Sequence, residues 1–330
     1  MIDPFTAYRI FNEDRNTVAR FVECQPDELD AGEVLVRVQY SSINYKDALA
    51  ATGAGKVVRR FPVIGGIDLS GVVVASTDPR FRQHDAVLAT GYELGVSHDG
   101  GYAEYAQVPA AWLLPLPNGL SAFDVMALGT AGFTAALAIT RMEMNGLAPA
   151  NGPVLVTGAS GGVGSIAVDL LAGLGYDVSA LTGKATEHAA LRALGANKIL
   201  DRNTVTCGTH ALEASMWAGA IDSLGGEWLA WLTRTMHQRG CIASIGMAAG
   251  NELATTVMPF ILRGVSLLGI DSSQTPMELR RRVWQRLATD MRPRHLVRVA
   301  HTVEFSEIPQ WFPRYLDGRV TGRTVVRIGA

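Results

Sequence analysis

A glycine-rich segment between a predicted strand and a predicted helix constrains the fold of this chain more than any other feature. Val154–Val156 is predicted to be a buried strand, the turn GASGGVG (158–164) follows it, and a helix is expected to begin near Ser165. Glycines in such a turn allow positive φ and a close approach to a pyrophosphate, which the helix N-terminus attracts. Because Ala159 and Ser160 interrupt the GxGxxG spacing, a turn needed only for tight packing stays as the alternative.

The segments after this turn alternate between strands and helices from Pro153 to about Ile270. The predicted strands are VLVTG, DVSALT, KILD, GAIDSL, GCIASIG and VSLLGI, and the helices between them include GSIAVDLLAGLG and EHAALRALGA. This order predicts βαβ units and a Rossmann-type, doubly wound parallel sheet.

The first third of the chain is rich in predicted strands instead. The strand signals are EVLVRVQYSSI, which alternates apolar and polar residues, then LSGVVVAST, HDAVLATG and a strand pair within GGYAEYAQVPAAWLLPLP. Helical spacing begins at SAFDVMALGTAGFTAALAITRM, with Ser121 as the expected N-cap. The last sixty residues contain a charged amphipathic helix, PMELRRRVWQRLATDM, and a closing strand, GRTVVRIG.

Composition excludes several functional classes. The 330 residues carry a net charge of −2, which gives no general attraction to nucleic acid or anionic membranes. Cys24, Cys207 and Cys241 form no CxxC pair, so a disulfide framework or a structural zinc cluster is not expected. The N-terminus lacks the apolar core of a signal peptide, and no segment was expected to reach the roughly 20 apolar residues of a membrane span. We therefore expect a cytoplasmic, soluble protein.

The end of the second predicted strand in this region indicates which dinucleotide would bind. NAD sites place an acidic residue there for the ribose 2′-hydroxyl, but here Asp177 lies at the start of the strand. Thr182, Gly183 and Lys184 follow the strand instead, with Arg202 after the next strand, and these residues suit a 2′-phosphate. The sequence thus favours NADPH. The alternatives are a solvated surface lysine at 184 and an Arg202 that pairs with Asp201.

Longer segments resemble one known family over essentially the whole chain. The segments are SSINYKDALAATGAGKVVRRFPVIGGIDLSG, LGTAGFTA, VTGASGGVG, WAGAIDSLGG, TTVMPFILRGVSLLGIDS and GRVTGRTVV. With them the chain resembles the medium-chain dehydrogenase/reductase superfamily, in its zinc-free, quinone-oxidoreductase-like branch, and there the acrylyl-CoA reductase family. The resemblance implies a β-rich, GroES-like catalytic domain (1–122 and 272–330) and a Rossmann NADPH-binding domain (123–271).

The resemblance also bears on metal binding. Zinc members of the superfamily bind the catalytic metal with a cysteine and with a Gly-His-Glu segment, and this chain has Asn44 and GID (66–68) at those positions. Isoleucine cannot bind a metal and asparagine is a poor zinc ligand. No pair of histidines has ligand spacing. No metal is therefore expected, and reduction of an activated acceptor replaces zinc-assisted alcohol oxidation.

The expected reaction is reduction of a 2-enoyl thioester, most simply acrylyl-CoA to propionyl-CoA. Hydride would reach the β-carbon, negative charge would spread to the thioester oxygen, and the α-carbon would take a proton. The resemblance places Tyr45 against the nicotinamide, with Asn44 and Asp47 beside it. A phenol with an ordinary pKa of about 10 is protonated at neutral pH, so Tyr45 is the candidate donor. A wall residue with water as the acid is the alternative for Tyr45, and a structural cap is the alternative for Asp47.

Further cofactor contacts follow from the resemblance. The implied residues are Ser160, Gly161, Gly162 and Val163 at the phosphate turn, Thr182, Gly183, Lys184 and Arg202 at the 2′-phosphate, and Tyr45, Met247, Ile261, Ser272 and Asp317 elsewhere. Asp317 departs from the asparagine of close relatives and should weaken binding slightly unless Arg319 or Arg323 offsets its charge. Gly65 departs from a frequent proline and puts the local loop shape in doubt.

Several functions remain compatible with the sequence. Reduction of quinones would use the same cofactor pocket, while a crystallin-like or RNA-binding role is disfavoured by the net charge of −2. The basic residues Lys56, Arg59 and Arg60 either meet coenzyme A phosphates or form a solvated face. The strand VSLLGI either pairs with a second copy, giving a homodimer, or is an ordinary buried strand.

Overall fold

The chain forms two compact units in the computed structural model, which describes residues 2–329. The first unit comprises Met1–Thr130, Ser273–Arg282 and Leu296–Ala330, and the second comprises Ala131–Ser272 and Val283–His295.

The strands and helices have the following bounds. The strands are β1 Phe5–Glu13, β2 Asn16–Cys24, β3 Val34–Ile43, β4 Val63–Ile64, β5 Asp68–Ser76, β6 Ala86–Thr90, β7 Tyr105–Val108, β8 Leu114–Pro115, β9 Val154–Thr157, β10 Val178–Thr182, β11 Lys198–Asp201, β12 Trp217–Asp222, β13 Met236–Ser244, β14 Ser266–Gly269, β15 Ala300–Glu304 and β16 Arg323–Arg327. The helices are α1 Tyr45–Thr52, α2 Ala122–Met144, α3 Gly162–Gly173, α4 His188–Leu194, α5 Gly226–Thr235, α6 Met258–Arg263, α7 Met277–Ala288, α8 Leu296–Val299 and α9 Ile308–Leu316.

The first unit is built on a mostly antiparallel sheet with the strand order β15-β16-β3-β5-β6-β8, and β7 also pairs with β3. A smaller sheet has the order β2-β1-β4. Apolar residues at alternate positions of β3, among them Val34, Val36 and Val38, are fully buried, so the predicted period-two strand is confirmed. Strand β3 also pairs with β16, and several of the polar residues described below lie on these two strands or directly follow them.

The second unit is a six-stranded parallel sheet with the order β11-β10-β9-β12-β13-β14. Counted within the unit this is the doubly wound order 3-2-1-4-5-6, so all six predicted strands and their topology are confirmed. The order reverses between β9 and β12, whose residues are all buried, as expected for strands covered on both faces. Ligands of such sheets bind beyond the carboxyl ends of the strands at this point of reversal.

Two predicted helices differ in detail from their sequence patterns. Helix α3 begins at Gly162 rather than near Ser165, since residues 162–164 already adopt helical backbone angles. Helix α2 is capped as predicted, because the Ser121 hydroxyl accepts the N–H of Asp124 at 3.1 Å. It is not continuous, however, because Gly129 has φ 53° and ψ −157° and kinks the helix.

Helix α2 also corrects an expectation about apolar segments. By length and composition its 23 residues could cross a membrane, although the sequence was expected to contain no such segment. Most of its apolar window, 78%, is buried inside the structure, as in the core helix of a globular protein.

Candidate active site

The glycine-rich turn of the second unit has the geometry of a phosphate cradle. Gly158 has φ +60°, and a Cβ atom on Gly164 would lie 2.3 Å from the Gly158 carbonyl oxygen. Gly161 is the N-cap of α3 and supplies no side-chain acceptor to the first turn, so its N–H groups and the positive end of the helix dipole can meet an anion. Ser160, Gly161, Gly162 and Val163 all lie on this turn. The close packing of Gly164 on the Gly158 carbonyl is the role that the last glycine has in dinucleotide-binding turns, and it is equally what the packing alternative expects.

The four residues predicted for a 2′-phosphate are brought together at the ends of β10 and β11. The Thr182 hydroxyl bonds to Ser160 Oγ at 2.9 Å and accepts the N–H of Lys184 at 3.1 Å. The Arg202 N–H donates to the Thr182 carbonyl, and its guanidinium lies 3.2 Å from where a Gly183 Cβ would stand. Partial burial lowers the pKa of Lys184. Two cationic side chains thus flank one short backbone segment next to the phosphate turn.

The alternative pairing of Arg202 with Asp201 is not what the structure shows. The Asp201 carboxylate accepts the N–H of Asn203 at 2.9 Å, and no ion pair joins it to Arg202 within residues 2–329. Arg202 therefore remains oriented toward Gly183.

Sequence reasoning missed a polar pair at the end of β12. Asp222 is fully buried, where its carboxylate accepts the Thr157 hydroxyl at 2.6 Å and the Gly225 N–H at 2.8 Å. Burial raises its pKa. Ser223 Oγ is buried without a hydrogen-bond partner among the described residues and lies 3.9 Å from the position of a Gly158 Cβ. The signal was available, since polar residues that end a strand beside β9 belong at the ligand edge.

Three other predicted cofactor contacts also lie in the second unit. Met247 and Ser272 follow the carboxyl ends of β13 and β14, so they share a sheet edge with the glycine turn. Met247 is 68% exposed. Ile261 lies on α6 and is 74% exposed, and no contact described in residues 2–329 joins it to the phosphate turn. These three positions stay predictions.

The first unit presents Tyr45 at the start of α1. Asn44 is the N-cap of this helix and Tyr45 is its first residue, with 52% of its surface exposed. Asp47, three residues after the cap, accepts the Asn44 N–H at 2.8 Å and the Ile67 N–H at 3.0 Å. The carboxylate thereby fixes both the helix start and the loop that precedes β5. This geometry supports the structural-cap alternative for Asp47 and leaves Tyr45 as the accessible group.

Asp47 is also electrostatically unusual. Burial, together with the nearby charge of Asp68, raises its pKa to about 7, although the hydrogen bonds from Asn44 and Ile67 oppose the shift. The group therefore changes charge near neutral pH while it holds the start of α1.

A buried cluster behind Asn44 was not predicted from the sequence. Its centre is an ion pair of Asp68 and Arg323, whose nitrogen and oxygen atoms lie 3.9 Å apart. Asn44 donates from Nδ2 to Asp68 at 2.8 Å and accepts Arg323 Nη1 on Oδ1 at 3.1 Å. Ser42 likewise donates to Asp68 and accepts from Arg323. Both ends of the Asn44 amide are thus engaged within the cluster, which supports the start of α1, and the predicted catalytic role of Asn44 stays a prediction.

The negative charge of Asp317, which stands where close relatives carry asparagine, is paired with a neighbouring arginine. Asp317 ends α9 and forms an ion pair with Arg319, whose Nε lies 3.1 Å from its Oδ2. Arg323 does not take part because it belongs to the buried cluster with Asp68. Of the two arginines considered, Arg319 is the one that offsets the charge.

Two of the three basic residues at 56–60, Arg59 and Arg60, lie beside acidic partners. Arg60 forms ion pairs with Asp30 and Asp99, and Arg59 lies 3.7 Å from Glu93. These acidic partners favour a solvated face over a dedicated phosphate site.

No metal centre is formed by the described residues. Within residues 2–329, no group of three or more His, Cys, Asp and Glu side chains could hold a metal ion. Ile67 is itself buried, and its backbone N–H donates to Asp47.

Comparison with known proteins identifies the class. Residues 30–118 match the alcohol dehydrogenase GroES-like domain, and residues 162–289 match the zinc-binding dehydrogenase family. The chain belongs to the medium-chain dehydrogenase/reductase superfamily, and the predicted combination of a GroES-like and a Rossmann domain is confirmed.

Individual relatives define the branch. The chain is 44% identical to the acrylyl-CoA reductase AcuI of Ruegeria pomeroyi over 319 residues, covering 96% of this chain and 97% of that protein. The crystal structure of YhdH from Salmonella enterica in complex with NADP is 46% identical, has a TM-score of 0.95, and covers 98% of this chain and 100% of that one. That of Bacillus subtilis YhfP with NAD bound is 46% identical, has a TM-score of 0.96, and covers 99% and 100%. The chain is a member of the AcuI/YhdH acrylyl-CoA reductase family.

The strand-end cations generate a test of cofactor selectivity. If Lys184 binds the 2′-phosphate as predicted, Lys184→Ala should raise KM for NADPH about 10- to 100-fold, the equivalent of a charged hydrogen bond. KM for NADH should stay within about twofold, because NADH lacks that phosphate. Steady-state kinetics with both cofactors measure this. Lys198→Ala, at the exposed start of β11, is the matched control and should change neither value. Equal losses with both cofactors would show that Lys184 does not bind the 2′-phosphate.

The buried Asp47 generates a test of pH dependence. Its pKa is about 7 in the folded protein but about 4 when unfolded, so the native state binds the extra proton between these values. The contribution of Asp47 to stability is therefore present at low pH and is lost as pH rises toward and through 7. Relative to Asp47→Asn, the wild type should lose on the order of 2 kcal/mol of unfolding free energy between pH 5 and 7. Urea titrations at pH 5, 6, 7 and 8 measure it, and parallel curves would contradict the assignment.

Proposed function

We propose that this oxidoreductase reduces the C=C bond of a short 2-enoyl thioester, with acrylyl-CoA to propionyl-CoA as the specific reaction. The enzyme class and the use of NADPH rest on the family. The observation that supports the thioester is the identity of 44% to the acrylyl-CoA reductase of Ruegeria pomeroyi across nearly the full length of both chains. Such a reduction needs a proton donor. The phenol of Tyr45 is exposed and lies at the start of a helix that Asp47 holds in place, so it can fill this role.

The residues present fit NADPH. The turn at 158–164 suits a pyrophosphate because the glycine at 164 lets the first turn of α3 pack directly on the Gly158 carbonyl, which brings the helix N-terminus to the end of β9. Lys184 and Arg202 would meet the 2′-phosphate, with Thr182 and Ser160 as hydroxyl donors. Ser223, whose buried Oγ lies near Gly158, adds a hydroxyl at the same edge. We assign the second unit to cofactor binding and the first to catalysis. The domain boundaries 1–122 plus 272–330 and 123–271 expected from the sequence stay a prediction, and they differ from the bounds of the two units at residues 123–130, 272 and 283–295.

Bound NADPH supplies the hydride that the β-carbon of the thioester accepts. The second hydrogen is a proton that must reach the α-carbon, and Tyr45 is the proposed donor because its phenol is accessible. Tyr45 is then reprotonated from solvent, so the net change is one hydride and one proton added across the double bond. Asn44 and Asp47 hold the start of α1 and so set the position of this phenol. Water as the acid, with Tyr45 as a wall, remains the competing assignment.

Quinone reduction is the second candidate function. It is favoured by YhfP of Bacillus subtilis, a proposed quinone oxidoreductase that is 49% identical to this chain over 304 residues. The same cofactor site would serve both acceptors, so only the acceptor itself separates the two functions.

We also propose that the enzyme is a cytoplasmic homodimer. Strand β14 is at the edge of its sheet, and the preceding segment exposes Val257, Ile261 and Leu262. A second copy could pair with this edge and cover these apolar side chains. Sedimentation equilibrium of the purified chain and fractionation of the source cells measure the two properties, and a monomeric mass at micromolar concentration would contradict the first.

Parallel assays with three acceptors test the proposed reaction. NADPH oxidation should be fast with acrylyl-CoA, slower with crotonyl-CoA because of its extra methyl group, and slow with benzoquinone. Absorbance at the NADPH band gives the rates, and propionyl-CoA is identified as the product by mass. Brisk benzoquinone turnover with no thioester turnover would overturn the proposal in favour of quinone reduction.

Replacing Tyr45 with Phe tests the proton donor. The ring remains, so loss of the hydroxyl should lower kcat with acrylyl-CoA about 100-fold or more, the typical contribution of a positioned acid. KM for NADPH should change little. Tyr40→Phe, whose ring packs against Phe123 in the same unit, is the matched control. Unaltered turnover in Tyr45→Phe would make Tyr45 a wall residue and water the acid.

A further inference from the structure

The kink in α2 lies against the buried ion pair of the first unit. A Cβ atom on Gly129 would lie 2.5 Å from Arg323 Nη2 and 2.6 Å from Asp68 Oδ2. The helix backbone therefore approaches both charged groups as closely as a glycine allows. The interruption of the helix therefore coincides with its contact with the ion pair.

Each member of the ion pair satisfies one of the two helix ends that the kink creates. Asp68 accepts the N–H of Thr130 at 2.9 Å and its hydroxyl at 2.5 Å, at the start of the second helical segment. Arg323 Nε donates to the Ala127 carbonyl at 3.1 Å, at the end of the first segment. The charges match the helix dipoles, since anions stabilise N-terminal ends and cations stabilise C-terminal ends. Arg323 is 1% exposed, so this arrangement is shielded from water.

The same ion pair continues to the helix that presents Tyr45. Arg323 Nη1 donates to the Asn44 side-chain oxygen and to the Ile43 carbonyl, at 3.1 and 3.3 Å. Asp68 accepts the other end of the Asn44 amide. The planar guanidinium thus reaches the α2 kink, the end of β3 and the N-cap of α1 with one rigid group. A lysine would carry the charge but not this set of directions.

We propose that Arg323, in its pair with Asp68, is a positioning residue for the reduction, acting through Asn44 on Tyr45. The inference rests on the proposed function only in taking Tyr45 as part of the reacting site. The guanidinium touches no substrate, and its role is to hold the N-cap of α1 in one orientation relative to the α2 kink. A misplacement of about 1 Å in a catalytic group can lower a rate about a hundredfold, so loss of this support should appear in kcat.

A purely structural ion pair predicts a different pattern from a positioning one. Removing Arg323 alone leaves the buried Asp68 uncompensated and should destabilise the protein in either case. The informative variant is Asp68→Asn combined with Arg323→Gln, which removes both charges and keeps a polar side chain at each position. Gln is shorter than Arg and has fewer donors, so this double variant should recover only part of the stability that Arg323→Gln alone loses. If the pair only balances charge, turnover should recover as well. If the guanidinium positions Asn44, kcat should stay low.

The experiment compares the double variant, Arg323→Gln alone, Arg323→Lys and the wild type. We expect the double variant to melt at a higher temperature than Arg323→Gln alone, to lose about 10- to 100-fold in kcat relative to wild type, and to keep KM for NADPH within about twofold. Lysine should give a similar split, because it restores charge without the directional fork. The matched control is Arg327→Gln on the same strand, an exposed arginine paired with Glu304, which should change none of the three values.

The outcomes separate this inference from the proposed function. A double variant or a lysine variant with kcat within twofold of wild type would overturn the positioning role. If the double variant does not fold, the lysine variant decides by the same criterion. Turnover is measured with whichever of acrylyl-CoA and benzoquinone the wild type uses, so a failure of the thioester assignment leaves the Arg323 comparison intact.

Discussion

The buried ion pair between Asp68 and Arg323 is the interaction on which the local geometry of the first unit depends. It reconciles three demands at once, namely a broken helix, a strand end and a helix start, each of which leaves backbone groups to satisfy. Two opposite charges in an apolar interior are stable only when their remaining hydrogen-bonding capacity is also met, and here it is met by the elements that need it. Any other residue in place of Gly129 would bring its side chain into collision with both charged groups.

The second unit solves a related problem with a single carboxylate. Asp222 at the end of β12 accepts the Thr157 hydroxyl at the end of β9, and so joins the two strands between which the sheet order reverses. It also accepts backbone N–H groups that lead into α5. The edge at which the phosphate turn lies is thereby held by hydrogen bonds within the protein itself, and such preorganisation favours the binding of a charged cofactor. Both units thus rely on one buried aspartate to organise backbone groups next to a proposed site.

Much of this structure could be predicted from the sequence, and the misses have physical causes. Alternating apolar strands and glycine turns are local signals, so the six strands were predictable, as was the proximity of Thr182, Lys184 and Arg202 at one edge of the sheet. The kink at Gly129 was not, because the segment has helical spacing throughout and the groups that satisfy the two helix ends at the kink, Asp68 and Arg323, are distant in sequence. The early start of α3 depends on glycines that allow helical and non-helical angles equally. Arginine is usually a surface residue, which concealed Arg323 near the C-terminus.

The placement of Lys184 and Arg202 at the ends of adjacent strands has a consequence for how such an enzyme can diversify. The groups proposed to bind the 2′-phosphate are side chains at or just after the ends of β-strands, whereas the groups proposed to act on the acceptor are held in another compact unit by a separate buried network. Substitutions at these strand ends can therefore change the preference for NADPH or NADH without altering the residues around Tyr45. The same separation means that the cofactor preference of the enzyme could be engineered by substitutions at a few positions, such as 184 and 202, that lie away from the groups proposed to act on the acceptor.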